Sequence, residues 1–441
     1  MSAPSLCARV YEVGPKREYR QLHQVFENND LQPGDVVEVD GDATYEGGIL
    51  VGDGGSATQP VTIRWRREGG GKRPLLKGGE YFTIKFSYSN HVVLEGFEIT
   101  GGGSSCIFSE ADDVTVRDVI IRDCPGQGIL AADQNSGSFT LEYSEIRNSG
   151  GGMSAHAIYM QSDEVAYPGA VFRMRFNYVH AGKGGNLVKV RHERSQIHYN
   201  WLEGATYQAL ELIGPDCWAQ QKGWSTALRR EDADVVGNVI VQSGQWPNAI
   251  RIGGDLNGRS EGRVRLLANS IVFTRPGPAN AVLVQLGAGA LDMHDNLLYQ
   301  IGGTPTPVRE NLVDDTPEPC SPQQVAPWSD GRKIAGSHNW VQQAVLQPRE
   351  WTQTLRGAEP GLADAAHGGL RPTAVSPLRG KGAGTPTSPP GFVVPSALPR
   401  ALYEPPLRRK MEPGQERRRS DNPQAPDIGA LAAMANAGQA Q

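Results

Sequence analysis

The sequence predicts an all-β protein, a right-handed parallel β-helix (a solenoid) with a short N-terminal helical cap. Glycine and proline, 54 and 31 of the 441 residues, indicate many turns and short strands. Pairs of short apolar runs recur along the chain at a variable period, and one polar residue separates the two runs of each pair. Variable spacing around constant strands is typical of a solenoid whose loops differ in length.

The polar residues between paired runs form a first column. Its members are Gly96, Asp118, Ser144, Asn177, Asn200, Asn238, Asn269 and Asn296. Stacked asparagine side chains can hydrogen-bond from one turn of the solenoid to the next, and asparagine tolerates the left-handed backbone of a tight bend. We therefore expect an asparagine ladder at one corner.

A third strand follows each pair of runs, for example LVKVR at 187–191 and AIRIG at 249–253. Alternate residues of these strands are apolar and are expected to face the core. The residue before each strand belongs to a second polar column, formed by Gln127, His156, Asn186, Gln208, Asn248 and Asn280. Two polar columns that frame apolar strands strengthen the prediction of a solenoid.

The pattern divides the chain into four parts. Residues 1–30 hold an N-terminal segment and a capping helix, which an apolar solenoid end requires. Residues 31–303 form the β-helix, and 304–385 hold irregular C-terminal turns and a wrapping segment. Residues 386–441 are a Pro/Arg-rich tail that is expected to wrap the surface or to be mobile. Its basic run at 407–419 is expected to be solvated.

Composition narrows the classes of partner. A net charge of −5 does not favour nucleic-acid binding, and no stretch approaches the ~20 apolar residues of a membrane span. The N-terminus lacks the apolar core of a signal peptide, so a cytoplasmic location stays open. The five cysteines form no CxxC pair, which disfavours zinc, and we expect them to be buried small hydrophobes. Disulfide pairing and oligomeric state stay open.

The segment LQPGDVVEVDGDATYEGGILVGDGGSATQPVTIRW, AVSPLRGKGA at 374–383 and PDIGAL at 426–431 resemble the β-helical polysaccharide lyases, closest to the chondroitinase B and alginate lyase group. The resemblance implies a secreted or periplasmic protein that cleaves an acidic polysaccharide. It also implies a lysine base, a nearby arginine and a calcium ion. Lys189 and Arg191 fit these roles but share one strand, and Arg251 is the alternative arginine. The metal ligands stay unknown.

The outward faces of the third strands carry the candidate site. One column reads Leu130, Tyr159, Lys189, Glu211, Arg251 and Leu283, and the next includes Gln161 and Arg191. Charge is therefore confined to the middle of the solenoid. Long insertions at 214–234 and 253–262 are expected to wall a groove there, with Trp218 and Trp224 as stacking platforms and Asp216 and Asp255 as substrate-binding acids. Converging charges in a cleft favour a site over a plain salt-bridge ladder.

Three functions remain open on these residues. In a lyase, Arg191 and Arg251 would stabilise the uronate carboxylate while Lys189 acts as the base, with Tyr159 or His156 as the alternative. Glu211 opposes this role of Lys189 because it favours the charged amine. A glycoside hydrolase would pair Glu211 with Asp163, Asp216 or Asp255. A carbohydrate-binding or adhesion β-helix would need no catalysis.

Overall fold

Three long parallel sheets make up the structure, a computed structural model that describes residues 8–68, 71–131, 134–214, 232–254, 260, 262–285, 289–311, 333–383, 394 and 396–434. From Val36 to Gln342 the described strands visit the three sheets in rotation, so that every third strand pairs with the next turn of the solenoid. We call one such turn a rung. This is the predicted parallel β-helix, and the core lies inside the three sheets.

Sheet A has 13 strands in the described residues: β1 (Val10–Val13), β2 (Val36–Asp40), β5 (Val61–Arg66), β8 (Val92–Glu95), β11 (Val114–Arg117), β14 (Phe139–Glu142), β17 (Val171–Arg175), β20 (Arg194–His198), β23 (Asp232–Val236), β26 (Arg263–Leu267), β29 (Ala290–His294), β32 (Ile334–Ser337) and β34 (Trp351–Thr352). Its inward residues, such as Val116 and Leu141, are fully buried.

Sheet B has 12 strands in the same residues: β3 (Thr44–Glu46), β6 (Leu75–Lys77), β9 (Glu98–Thr100), β12 (Ile120–Arg122), β15 (Glu145–Arg147), β18 (Tyr178–His180), β21 (Trp201–Glu203), β24 (Val239–Gln242), β27 (Ser270–Phe273), β30 (Leu297–Gln300), β33 (Trp340–Gln342) and β35 (Leu355–Gly357). Its last two strands, β33 and β35, lie in the part of the chain where irregular C-terminal turns were expected.

Sheet C has 10 strands in the described part: β4 (Ile49–Val51), β7 (Phe82–Ser87), β10 (Ser105–Glu110), β13 (Gln127–Ala131), β16 (Ile158–Gln161), β19 (Val188–Arg191), β22 (Leu210–Ile213), β25 (Asn248–Gly253), β28 (Asn280–Gln285) and β31 (Thr306–Asn311). The helix α1 (His23–Asn28) buries Val25 at the N-terminal end, as the capping prediction requires. An antiparallel pair, β36 (Leu362–Asp364) and β37 (Gly369–Pro372), flanks a short 3₁₀ turn at Ala365–His367.

The corner between sheets A and B holds the asparagine ladder. The side chain of Asn238 donates from Nδ2 to the carbonyl oxygen of Ile197 and to Asn269 Oδ1, at 2.8 and 3.1 Å. Its Oδ1 accepts from the backbone N–H and from Nδ2 of Asn200, at 2.8 and 3.0 Å. The same pattern continues to Asn339. These bonds satisfy buried backbone groups that a tight corner would otherwise leave unpaired.

The ladder alignment was wrong at its first two positions. Asp118 has a φ of 54°, and its place in the register matches Tyr143, which precedes Ser144. The ladder position in that rung is instead Val119, whose N–H donates to Ser144 Oγ. Gly96, with a φ of 91°, stands one residue early in the same way. The left-handed residue is thus the one before the ladder position. Asparagine is needed at the ladder position itself for its hydrogen bonds and not for its backbone conformation.

Two further features were not assigned from the sequence. Cys106 and Cys124 are buried as expected, and they form a disulfide with a Cα–Cα distance of 5.8 Å, because the solenoid brings β10 next to the second residue after β12. His192, in the connection between β19 and β20, is buried: its Nε2 lies 3.0 Å from the carbonyl oxygen of Gly137, and its ring lies 5.7 Å from Phe172. Burial lowers the pKa of His192 to about 4.

The C-terminal tail packs onto the outside of sheet B. Leu370, Leu378, Ile428 and Leu431 are buried against a column that includes Trp201. The basic run is not simply solvated, because Lys410 forms an ion pair with the fully buried Asp118, and Arg408 pairs with Glu203 at 3.0 Å. In its described residues the tail therefore wraps the surface.

Candidate functional site

The charged column predicted on the outside of sheet C is present in register. Tyr159 lies next to Lys189 on the neighbouring rung, Lys189 next to Glu211, and Glu211 next to Arg251. Leu130 and Leu283 continue the column on either side. Strands in a sheet lie ~4.8 Å apart, so the four polar residues span about 14 Å.

Glu211 is the centre of this column. Its Oε1 lies 2.6 Å from Arg251 Nε and its Oε2 lies 3.5 Å from Lys189 Nζ. Asn186 donates from Nδ2 to the same Oε2 at 2.8 Å. The glutamate side chain is only 3% exposed, and those of Lys189 and Arg251 are 13% and 16% exposed. The salt-bridge ladder considered from the sequence is therefore real, but it is largely withdrawn from water.

Arg191 does not extend the cationic surface outward as the sequence analysis expected. Its side chain is buried and turns back along the sheet, where Nε donates to the Tyr159 hydroxyl at 3.2 Å. One guanidinium nitrogen also donates to the carbonyl oxygen of Gly214. Lys189 Nζ lies 5.3 Å from the centre of the Tyr159 ring. Tyr159 thus has a cation at its hydroxyl and a second one over its ring.

His156 takes part in the second polar column, between sheets B and C. Its Nδ1 accepts from the backbone N–H of Asn186 at 2.9 Å, which assigns the ring proton of a neutral imidazole to Nε2. Its ring packs edge-on against Tyr159 with centroids 5.4 Å apart. His156 therefore braces both Tyr159 and Asn186, the residue that binds Glu211.

Gln161 is fully buried beside Arg191 in the strand register. Its two amide atoms have no hydrogen-bond partner among the residues that the structure describes. Asp216, Trp218, Trp224 and Asp255, which the sequence analysis placed around the groove, lie outside the described residues.

Metal ligands are not evident in the described ranges. These residues contain no group of three or more His, Cys, Asp or Glu side chains arranged to hold an ion. Asp163, a possible partner of Glu211, caps a loop: its Oδ1 accepts from the N–H of Ala166 at 3.0 Å, and its Oδ2 accepts from the N–H of Asn135 at 3.0 Å. No helix in the same ranges is long and apolar enough to cross a membrane.

Two features of this region were missed at the sequence level. Asn186 was recognised only as a corner residue, yet its side chain also holds Glu211. Tyr207 and Trp246 pack together at 5.4 Å beside the strands of sheet C, and Trp246 is 41% exposed. The available signal was their position one and two residues before the polar column at Gln208 and Asn248.

Comparison with known proteins agrees with this architecture. Residues 26–165 match the model of the right handed beta helix region. The solved pectate lyase Pel9A superposes with a TM-score of 0.50 at 11% identity, over 97% of this chain and 96% of that one. An alginate lyase from Paenibacillus sp. str. FPU-7 gives 0.44 at 16% identity, over 79% and 98% of the two chains.

A GH136 lacto-N-biosidase from Eubacterium ramulus gives a TM-score of 0.40 at 14% identity, over 77% of this chain and 68% of that one. No curated protein matches the sequence. The chain therefore has the right-handed parallel β-helix fold seen in polysaccharide lyases, which confirms the resemblance noted in the sequence at the level of fold. A fold hosts many chemistries, so the activity has to be argued from the site.

Proposed function

We propose that this protein cleaves an acidic, uronate-containing polysaccharide by β-elimination on the outward face of sheet C. One observation carries the proposal: Glu211 is held between Lys189 and Arg251, and beside them Tyr159 receives a hydrogen bond from Arg191. Two cations thus flank one buried carboxylate, and a third cation bonds a phenol on the same face of the sheet. This arrangement suits a reaction that builds negative charge on its substrate.

The two cations beside Glu211 are suited to stabilise negative charge on a substrate carboxylate. Removal of the weakly acidic C5 proton of a uronate moves negative charge onto that carboxylate. Lys189 and Arg251 stand on either side of Glu211 and are oriented by it, so they are the residues that stabilise this charge. Glu211 acts as a positioning residue, and Asn186 fixes its orientation.

Tyr159 is the better base in this geometry. Lys189 Nζ lies 3.5 Å from the Glu211 carboxylate, whereas the Tyr159 hydroxyl accepts a hydrogen bond from the guanidinium of Arg191, which can stabilise a phenolate. Tyr159, as the phenolate, takes the C5 proton and becomes the phenol, and the electron pair of the broken C5–H bond forms the C4–C5 double bond. The C4–O bond breaks, and the leaving oxygen takes a proton from the adjacent Lys189 ammonium.

The hydrolase alternative needs a second carboxyl group beside Glu211. Of the three candidates, Asp163 is engaged as a loop cap, and Asp216 and Asp255 lie outside the described residues. Glu211 itself already faces two cations, with Arg251 Nε 2.6 Å from one carboxylate oxygen and Lys189 Nζ 3.5 Å from the other. The described geometry therefore favours elimination.

Calcium is not part of the proposed reaction, and its effect is tested in the assay below. The described residues around Glu211 do not supply the several oxygen ligands that calcium requires, and no step of the proposed reaction depends on it. The Cys106–Cys124 disulfide supports a secreted or periplasmic location, because disulfides persist in oxidising compartments.

A panel of alginate, polygalacturonate, glycosaminoglycans and neutral glycans tests the proposal, with and without added calcium. Unsaturated-product absorbance and reducing ends are followed together, and both should rise on one acidic polymer. Tyr159→Phe should lower the rate by about 100-fold or more, since proton transfer typically contributes that factor. Tyr81→Phe, at a tyrosine that is 66% exposed, is the control and should leave the rate unchanged.

Two outcomes of this panel contradict elimination. Reducing ends without the absorbance would establish a hydrolase instead. Neither signal, together with retained glycan binding, would establish a non-catalytic carbohydrate-binding protein.

A further inference from the structure

Tyr207 and Trp246 form an aromatic platform on the loops that lead from sheet B into sheet C. Their ring centroids lie 5.4 Å apart at an interplanar angle of 73°. They line a shallow cavity of about 530 Å³, together with small residues such as Gly204 and Gly244. No residue that lines this cavity in the described part of the chain carries a charge.

The platform is held by side chains beneath it. Gln242, which is fully buried, donates from Nε2 to the carbonyl oxygens of Tyr207 and Trp246 at 2.7 and 3.1 Å. Arg275 donates from its guanidinium to the carbonyl oxygens of Gly244 and Gln245 at 2.8 and 2.9 Å. A platform fixed in this way loses little conformational entropy when a ligand binds.

A short chain of contacts connects the platform to the charged column. The N–H of Gln208, the residue after Tyr207, donates to Asn186 Oδ1 at 3.1 Å, and Asn186 Nδ2 donates to Glu211 at 2.8 Å. Tyr207 and Glu211 are four residues apart, which places them at most about 14 Å from each other along the backbone. One glycan of a few sugar units can therefore reach both places.

We propose that the Tyr207–Trp246 platform binds a neutral sugar ring of the same glycan whose acidic unit lies at Glu211. The apolar face of a pyranose can pack on Trp246, while the hydroxyls of Thr206 and Ser243 and the amide of Gln245 can bond its hydroxyl groups. The uncharged lining offers nothing to a carboxylate. The preferred substrate is then a heteropolysaccharide with both acidic and neutral units.

This inference rests on the proposed function for the acidic unit only, so binding is measured without turnover. Isothermal titration calorimetry compares Tyr159→Phe, in which the proposed cleavage is slowed, with Tyr159→Phe/Trp246→Ala. The probes are polygalacturonate fragments, which contain only acidic units, and hyaluronan and rhamnogalacturonan fragments, in which acidic and neutral units alternate. Tyr81→Ala in the same background is the control for loss of an exposed aromatic ring.

We expect Trp246→Ala to weaken binding of at least one alternating fragment about tenfold, or about 1.4 kcal/mol, and to leave polygalacturonate binding unchanged. An equal loss on both kinds of fragment, or no loss on either, would overturn the inference. The two proposals fail separately. If Trp246→Ala selectively weakens binding of an alternating fragment but the wild type cleaves nothing, the platform is supported and the lyase is refuted. If the wild type cleaves but binding is not selectively weakened, the lyase is supported and the platform is refuted.

Discussion

Replacement of Glu211 by glutamine should destabilise the protein far more than the same change at a surface carboxylate. Glu211 bonds to Arg251 at 2.6 Å and to Lys189 at 3.5 Å with a side chain that is 3% exposed. Glutamine keeps the shape but leaves two poorly solvated cations without their shared anion. Loss of one partner from a buried pair costs about 3–5 kcal/mol, and we expect about 3 kcal/mol because the cations keep some contact with water.

Glu95→Gln provides the matched control. Glu95 also lies on the outside of a sheet between two cations, Arg117 at 2.7 Å and Arg67 at 3.3 Å. Its side chain is 18% exposed, and those of the two arginines are 42% and 45% exposed. Such exposed pairs are worth about 0–1 kcal/mol. Urea denaturation of both variants gives the comparison, and equal losses for the two would refute the claim that the Glu211 cluster is desolvated.

Three further predictions concern the stability of the β-helix outside the candidate site. Asn238→Ala should lower the free energy of unfolding by about 3–5 kcal/mol in urea, because it leaves buried backbone groups of two rungs unpaired, whereas Asn28→Ala at an exposed position of α1 should cost less than about 1 kcal/mol. In His192→Gln, the free energy of unfolding should fall less between pH 6.5 and pH 4 than it does in the wild type. Urea denaturation at several pH values measures this difference. Burial lowers the pKa of His192 to about 4, so in that window only the unfolded chain takes up the proton, and stability falls as the pH falls. Replacement of Cys106 and Cys124 by serine should cost about 2–4 kcal/mol, and a double variant as stable as the wild type under oxidising conditions would argue against the disulfide.

The alternation of apolar residues made the sheets and their register predictable. A shift by one residue would turn Val188 and Val190 outward, so the core fixes Lys189 on the outer face and aligns it with Glu211 and Arg251. The early rungs were harder to align with the ladder. Gly96 and Asp118 resemble ladder residues in the sequence, but they occupy the left-handed position of the corner.

Side-chain direction and burial were not predictable from the strand pattern. Arg191 points outward by alternation, yet its long side chain folds back to the Tyr159 hydroxyl and the Gly214 carbonyl. The disulfide depends on a proximity between sheets B and C that no cysteine spacing encodes. The platform at Tyr207 and Trp246 lies on loops, where no periodicity reports which residues meet.

Mass spectrometry of the cleavage products tests the central claim most directly. An acidic oligosaccharide of defined length, chosen from the polymer that the panel identifies, is digested with the wild type and with Tyr159→Phe. The account predicts that the masses of the two wild-type products add up to the mass of the substrate, with an unsaturated sugar at the new non-reducing end, and that the variant forms them at least about 100-fold more slowly. Products whose masses sum to the substrate plus one water would contradict it.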